Sequence, residues 1–145
     1  MSENKEKIPL VIITGASSGI GLATARMFSD RGHPLLLLAR RLDAMEKLKL
    51  PNTLCKSVDV TDRQALLAAV QAAEENFGPA DVIVNNAGVM LLGDVTKQNP
   101  EEWDRMLEVN VKGLLNGIHA VSSGMAARKH GTIINISSVA GRKTF

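Results

Sequence analysis

The sequence contains no tyrosine, a single cysteine and very few aromatic residues. Only 3% of its 145 residues are Phe or Trp, and the one cysteine is Cys55. A lone cysteine excludes an internal disulfide, so we expect a reducing, cytoplasmic setting. The lack of tyrosine excludes any reaction in which this stretch of chain supplies a phenol as the acid or base.

A strong charge of either sign and long hydrophobic runs are also lacking. Lys and Arg total 17 against 15 for Asp and Glu, which gives a net charge of +2. So small a charge argues against a nucleic-acid or anionic-membrane surface. The longest apolar runs, residues 8–13 and 34–39, are far shorter than the roughly 20 residues of a membrane span and have the length of buried strands. We expect no membrane segment and no metal site.

What the sequence does contain is an alternation of short apolar runs with segments of helical period, beginning at Ile8. This pattern is typical of a parallel sheet covered by helices on both faces. Residues 1–7 lack large apolar side chains apart from Met1, so we predict a disordered tail followed by one domain over 8–145. Strands are predicted at 8–14, 33–39, 53–58, 81–85 and 132–137. Helices are predicted at about 20–31, 43–48, 61–77 and 99–129.

Several helix details follow from the same pattern. Thr61 with Gln64 is predicted to form a capping box, and Asp43 and Asn99 are predicted to cap the helices that they begin. The third helix should bury Leu66, Val70, Ala73 and Phe77. The last helix should run to about Lys129 and bury a stripe spaced by three and four residues, made of Trp103, Leu107, Val111, Leu114, Ile118, Val121 and Met125.

A glycine-bearing turn, TGASSGIG, joins the first predicted strand to the first predicted helix. Gly15 allows a sharp turn, Gly19 admits close approach of the backbone to a pyrophosphate, and Gly21 lets the helix pack tightly. The helix N-terminus then offers free N–H groups to the anion. The alternative is an ordinary glycine-rich turn. We predict that a dinucleotide is bound by Thr14, Gly15, Ser17, Ser18, Gly19, Ile20 and Gly21.

The second predicted strand ends in Ala39-Arg40-Arg41, where NAD-selective sites place an acid for the ribose 2′-hydroxyl. Ala39 cannot hold a hydroxyl, whereas the guanidinium of Arg40 suits a 2′-phosphate. We therefore predict NADP(H) as the preferred cofactor over NAD(H). Alternatively, Arg40 and Arg41 are solvated surface charges.

The segment from Thr14 to Gly21 resembles the cofactor fingerprint of the short-chain dehydrogenase/reductase family. Asp59 with Val60, after the third strand, resembles the family's motif whose acid contacts the adenine ring, which implies a cofactor contact there. The sequence after the fourth strand resembles the family's NNAG motif, which implies cofactor contacts from Asn86, Ala87 and Gly88. The resemblance covers residues 8–145. It implies an α/β fold of Rossmann type, a doubly wound parallel sheet with strand order 3-2-1-4-5. It also implies an oxidoreductase that interconverts an alcohol and a carbonyl by hydride transfer.

Two further residues, Asn110 and Ser138, resemble the catalytic asparagine and serine of that family. The resemblance implies that Asn110 lies at an irregularity in its helix and anchors a water in a proton relay, and that Ser138 polarises the substrate oxygen. From the residues alone, Asn110 falls in or beside the buried stripe and could be a core amide satisfied by backbone. Ser138 could simply bond the local backbone. No histidine or acid is placed to make a hydrolase triad with Ser138.

The chain departs from the family after the fifth predicted strand. The family's catalytic Tyr stands four residues before a Lys, but this sequence has no Tyr, and Lys143 precedes the region concerned. We therefore expect a truncated fold, an open apolar fifth strand and no turnover by this chain itself. The alternative function is a non-catalytic dinucleotide-binding or scaffold module.

The expected partners are a small carbonyl or alcohol substrate and a second copy of the full-length parent. Gly113 and Gly117, four residues apart on the long helix, would allow a partner helix to approach closely, and related enzymes often associate through this helix. Alternatively, these glycines pack the helix on its own sheet.

Overall fold

The computed structural model describes residues 7–143, in which five strands form one sheet. The strands are β1 (Leu10–Thr14), β2 (Leu35–Ala39), β3 (Thr53–Ser57), β4 (Ala80–Asn85) and β5 (Thr132–Asn135). All pairs are parallel and the order is β3-β2-β1-β4-β5, so the predicted fold is confirmed. Of the predicted tail, residues 1–6 lie outside the described residues and Lys7 is exposed.

The helices are α1 (Gly19–Asp30), α2 (Leu42–Glu46), α3 (Arg63–Phe77), α4 (Pro100–Leu107) and α5 (Leu114–Arg128). A π-helical segment, Glu108–Gly113, joins α4 directly to α5, and a 3₁₀ turn follows β5 at Val139–Gly141. Within the described part of the chain, no helix is long and apolar enough to cross a membrane.

β1 and β2 are buried at every position because the sheet is covered on both faces. Successive side chains of a strand point to opposite faces, so these two strands feed two separate cores. Leu10, Ile12, Leu36 and Leu38 pack with residues of α3 and α5. Val11, Ile13, Leu35 and Leu37 pack with residues of α1 and α2. The unbroken apolar runs in the sequence are explained by this double covering.

β5 is the outer strand of the sheet on the β4 side, and all of its residues are exposed. Ile133 and Ile134 keep 37% and 38% of their surface exposed. Within residues 7–143, β5 therefore pairs with another strand on one side only. The strand ends at Asn135, two residues earlier than predicted.

The helix starts were predicted only in part. Asn99 caps α4 by accepting from the N–H of Glu101 at 3.4 Å, as predicted. The capping box of Thr61 and Gln64 is wrong: the Thr61 hydroxyl donates to Asp59 instead, and Asp62 caps α3 by accepting from the N–H of Ala65. α3 buries Leu66, Val70 and Ala73 and partly buries Phe77, as predicted.

The predicted cap at Asp43 is also wrong. The residue before α2 is Arg41, and Asp43 lies inside the first turn, where it pairs with Lys47 at 3.7 Å. An acid in the first turn still interacts favourably with the helix dipole.

Residues 100–128 are helical without a gap, close to the predicted 99–129, and the π segment contains Asn110, where the resemblance implies an irregularity. The first part of the predicted buried stripe is wrong. Trp103, Leu107 and Val111 are 39%, 61% and 51% exposed, although Val121 and Met125 are buried as predicted. The π segment accommodates an extra residue within the helix. Because of that extra residue, side chains of α4 that continue the α-helical spacing of α5 no longer point to the same side of the helix as those of α5. The positions that face the sheet are therefore Val109, Gly113, Asn116, Gly117, Val121 and Met125.

Candidate functional site

A cleft of about 530 Å³ opens at the carboxyl ends of the strands, on the side where open α/β sheets bind ligands. Thr14 and Gly21, which were also predicted to bind the cofactor, do not line it. The cleft brings together most of the predicted cofactor residues: Gly15, Ser17, Ser18, Gly19, Ile20, Arg40, Asp59, Val60, Asn86, Ala87 and Gly88.

The three glycines of the turn meet different surroundings. A Cβ on Gly15 would lie 2.9 Å from the Cα of Ala87, and one on Gly21 would overlap the carbonyl of Gly15. A Cβ on Gly19, where φ is +54°, would meet no atom within 4 Å. Gly15 and Gly21 are therefore needed for packing inside the protein, whereas the space in front of Gly19 is open to the cleft.

α1 begins at this open position without a side-chain cap. Ser18 stands at the N-cap in extended conformation, its hydroxyl makes no capping bond, and the first turn holds no acid. α3 and α4, by contrast, are capped by Asp62 and Asn99. The first N–H groups of α1 are thus left for an anion in the cleft.

Thr14 supports the site from behind. It is 2% exposed, and its Oγ1 accepts from the N–H groups of Asn86 and Ala87, each at 3.0 Å. The Nδ2 of Asn86 donates back to the carbonyls of Thr14 and Gly15 at 3.2 and 3.3 Å. These bonds lock the segment after β4 to the glycine turn after β1.

Two arginines follow β2 at the mouth of the cleft. Nη2 of Arg41 donates to Oγ of Ser17 at 3.4 Å, and Arg40 lines the cleft beside it. Among residues 7–143 neither arginine forms an ion pair. Arg41 was not predicted as a binding residue. The available signal was its position directly after Arg40 at a strand end.

Asp59, in the loop after β3, has its two carboxylate oxygens in different environments. Oδ1 accepts from the N–H and the hydroxyl of Thr61 at 3.0 and 2.8 Å, and Oδ2 lies 3.5 Å from Nη2 of Arg105. Burial acts to raise the pKa of Asp59, but the bonds from Thr61 and the charge of Arg105 outweigh it and lower the pKa. The group is therefore an ionised acceptor on the cleft wall.

Val60 is held in place from α5. Nδ2 of Asn116 donates to the carbonyl of Val60 at 2.8 Å, and Oδ1 of Asn116 accepts from Nε of Arg63 at 3.0 Å. Asn116 is 2% exposed and is the buried polar side chain of this helix. Sequence reasoning missed it, because an asparagine within a helical segment does not reveal which strand loop it faces.

Asn110 lies in the π segment and is exposed. Its Nδ2 donates to the carbonyl of Val89 at 2.7 Å, and its Oδ1 accepts from the N–H of Val89 at 2.8 Å. The amide thus pairs with the backbone that follows Gly88, rather than lying in a buried stripe. Asn110 does not itself line the cleft.

Ser138 also stands outside the cleft. It is exposed and precedes the 3₁₀ turn, where its Oγ accepts from the N–H of Ala140 at 3.2 Å. The hydroxyl hydrogen remains available as a donor. Among the described residues there is no group of three or more His, Cys, Asp or Glu that could hold a metal ion.

The profile of the family described as short chain dehydrogenase matches residues 9–145. The chain belongs to this family. An uncharacterised oxidoreductase of Staphylococcus saprophyticus is 43% identical to this chain over 146 residues. That alignment covers 98% of this chain and 59% of the relative, so the chain spans about three fifths of the length of that curated relative.

Solved structures of the family superpose closely on the chain. A serine dehydrogenase in its closed form, complexed with NADP⁺, is 34% identical with a TM-score of 0.88, covering 94% of this chain and 56% of the other. An alcohol dehydrogenase of the archaeon Thermococcus sibiricus, complexed with 5-hydroxy-NADP, is 28% identical with a TM-score of 0.88, covering 95% and 61%.

Proposed function

We propose that this short chain dehydrogenase binds NADP(H) in the cleft and forms the cofactor-binding part of an oxidoreductase that interconverts an alcohol and a carbonyl. The proposal depends on the position of the start of α1 relative to two arginines. The uncapped start of α1 at Gly19 opens into the same cleft as Arg40 and Arg41, neither of which has an acidic partner in the described part of the chain. An extended ligand with two separate anionic groups matches that arrangement.

The cleft residues divide the work of holding this ligand. The N–H groups at the start of α1 would take the pyrophosphate, and Arg40, Arg41 and the hydroxyl of Ser17 would take the ribose 2′-phosphate. Asp59 and Val60, beyond the arginines, would hold the adenine. The segment from Asn86 to Gly88 would flank the remaining ribose. When bound, the cofactor supplies or accepts the hydride.

The preference for NADP(H) over NAD(H) rests on the end of β2. No carboxylate pairs with either arginine within residues 7–143, so both charges are available to a phosphate. The solved relatives named above carry NADP⁺ and 5-hydroxy-NADP, which supports the same choice.

We assign the chemistry at the substrate to Ser138 and Asn110 in a longer protein that also supplies the acid or base. Ser138 would donate its free hydroxyl hydrogen to the substrate oxygen, and Asn110 would hold the backbone of Val89 in place at the end of the cleft. The other candidate, a non-catalytic dinucleotide-binding module, is favoured by the absence of tyrosine from the chain and by the position of Ser138 outside the cleft.

We also propose self-association through the α4–α5 helix in the longer protein, in a reducing, cytoplasmic setting. Trp103, Leu107, Val111 and Leu115 recur every four residues and are 39–61% exposed. An exposed apolar stripe of this kind fits a partner helix better than solvent. The compartment is proposed from the single cysteine, Cys55.

The test of the proposed function is a calorimetric titration of the chain with NADPH and with NADH, for the wild type and Arg40→Asp. NADPH should bind more tightly than NADH to the wild type, and the new carboxylate should erase or reverse that preference by repelling the 2′-phosphate. Arg26→Asp, on the exposed face of α1 and outside the cleft, changes the net charge by the same amount and serves as the control. Failure of both dinucleotides to bind the wild type would refute the proposal.

A further inference from the structure

Arg105 reaches the cleft from α4, and Val109 of the adjoining π segment also lines the cleft. Its guanidinium faces Oδ2 of Asp59 at 3.5 Å, and the two side chains are 36% and 37% exposed. Among the ion pairs of residues 7–143, this pair alone joins two residues of the cleft wall. A charge pair on the wall of a ligand cleft limits which hydrogen-bonding groups a ligand can place beside it.

The carboxylate of Asp59 has one oxygen available to a ligand. Oδ1 already accepts two hydrogen bonds from Thr61, whereas Oδ2 faces Arg105. An ionised carboxylate oxygen can accept more than one hydrogen bond, so Oδ2 can take a ligand donor while it remains beside Arg105. Arg105 therefore acts on the very atom that would contact a ligand.

The position of this atom in the sheet indicates which part of a dinucleotide it meets. The glycine turn follows β1, the two arginines follow β2, and Asp59 follows β3, the next strand outward. A ligand with its pyrophosphate at β1 and its 2′-phosphate at β2 therefore has its base at β3. Val58 and Val60 line the cleft on either side of Asp59 and offer apolar surface to that base.

We propose that Arg105 is a positioning residue that sets base selectivity, because it holds Oδ2 of the Asp59 carboxylate in the orientation that meets the base. An ionised carboxylate only accepts hydrogen bonds, so the site takes adenine, whose amino group donates, and disfavours hypoxanthine, whose oxo group accepts. This inference rests on the proposed function, since it assumes that a dinucleotide occupies the cleft. Hydrogen bonds to charged groups are strong enough for a discrimination of about tenfold or more.

The selectivity should depend on pH through the pKa of Asp59. The groups that contact its carboxylate are Thr61 from the same loop and Arg105 from α4, and the charged Arg40 and Arg41 from the end of β2 line the same cleft. The neighbouring charges act elsewhere: Asp62 caps α3 and Arg63 bonds Asn116. Removal of Arg105 removes one cause of the lowered pKa, so Asp59 will protonate at a higher pH. A protonated carboxyl can donate to an oxo group, and the preference for adenine then falls.

The experiment titrates the chain with NADP⁺ and with oxidised nicotinamide hypoxanthine dinucleotide phosphate, which are stable in acid, from about pH 7 down to about pH 4, close to an ordinary aspartate pKa. The variants are Arg105→Gln and Arg105→Lys. Lys112→Gln is the matched control, since Lys112 lies in the π segment that continues α4, pairs with Glu108 and does not line the cleft.

The wild type should prefer NADP⁺ over its hypoxanthine analogue by about tenfold or more and keep that preference as the pH falls. Arg105→Gln should lose part of the preference at neutral pH, because the carboxylate of Asp59 is no longer held towards the base. The remainder should fall off at a higher pH than in the wild type, because one cause of the lowered pKa is gone. Arg105→Lys should restore it in part, and Lys112→Gln should match the wild type.

The outcomes separate this inference from the proposed function. If the wild type binds neither dinucleotide, both fall. If it binds both equally, or if Arg105→Gln weakens both to the same extent with an unchanged pH profile, the cleft is a dinucleotide site in which Arg105 has no part in base selectivity, and the inference alone is overturned.

Discussion

The side chain of Asn85 on β4 occupies the space that a Cβ on Gly117 of α5 would need. Asn85 is 4% exposed, and its Nδ2 donates to Oδ1 of Asn135 on β5 at 3.0 Å. Its own Oδ1 has no hydrogen-bond partner among the described residues and lies against the helix backbone at Gly117. The absence of a side chain at Gly117 therefore sets how closely α5 approaches the sheet.

Gly117→Ala should destabilise the protein by about 1–3 kcal/mol, because overpacking forces a strand and a helix apart. Gly124→Ala on the same helix is the matched control. Its Cβ would meet only the end of the Arg128 side chain, so helix propensity should make it neutral or stabilising by about 0.5–1 kcal/mol. Denaturant unfolding measures both values. Equal effects of the two substitutions would contradict the role given to the Asn85 contact.

Asp62→Ala should destabilise the protein by about 1 kcal/mol, since it removes the acceptor for the N–H of Ala65 at the start of α3. Gln64→Ala should be nearly neutral, because Gln64 has no part in the cap that the structure shows. Thermal unfolding of the two variants distinguishes them. If Gln64→Ala lowered the stability more than Asp62→Ala does, the capping box predicted from the sequence would be correct after all.

Arg41→Gln should weaken NADPH binding by about tenfold and leave NADH binding almost unchanged, because Arg41 and Ser17 face the proposed 2′-phosphate position. Arg31→Gln, at the end of α1 and outside the cleft, controls for the loss of one positive charge. Calorimetry at two salt concentrations gives both affinities. An equal loss for NADPH and NADH would show that Arg41 does not contact the 2′-phosphate.

The 145-residue chain on its own should show no dehydrogenase turnover, even where it binds NADPH. A positioned acid or base contributes about 10²–10⁴-fold, and no tyrosine is present in the sequence to supply it. Nicotinamide absorbance with a panel of carbonyl substrates measures the rate. Turnover that is abolished by Ser138→Ala would show that another residue of this chain replaces the phenol.

The sequence predicts those parts of the fold and the site that depend on local pattern. β1 and β2 are recognised as apolar runs, and the turn from Gly15 to Gly21 is recognised between a strand and a helix. Local pattern does not predict the π segment, because residues 108–113 continue the apolar spacing typical of an α-helix. In the structure, the backbone hydrogen bonds of this segment reach one residue further than those of an α-helix.

Contacts between distant parts of the chain were equally hidden. Arg105 faces Asp59, and Asn116 holds Val60, only because α4 and α5 return beside the loop after β3. No spacing within the sequence reports such pairs. The predicted cofactor residues lie in short motifs at the ends of strands. The residues that hold two of them in place, Arg105 and Asn116, lie on α4 and α5.

The strand order also bears on the sequence of events during folding. β1 stands between β2 and β4, and Leu10 lies beside Ala80 although a helix, two strands and two further helices separate them along the chain. Closing so long a loop carries an entropic cost before any contact offsets it. We expect β1, β2 and β3 to assemble first from neighbouring segments, β4 to complete the cleft by bringing Asn86 to the glycine turn, and β5 to be added last to a sheet that already exists.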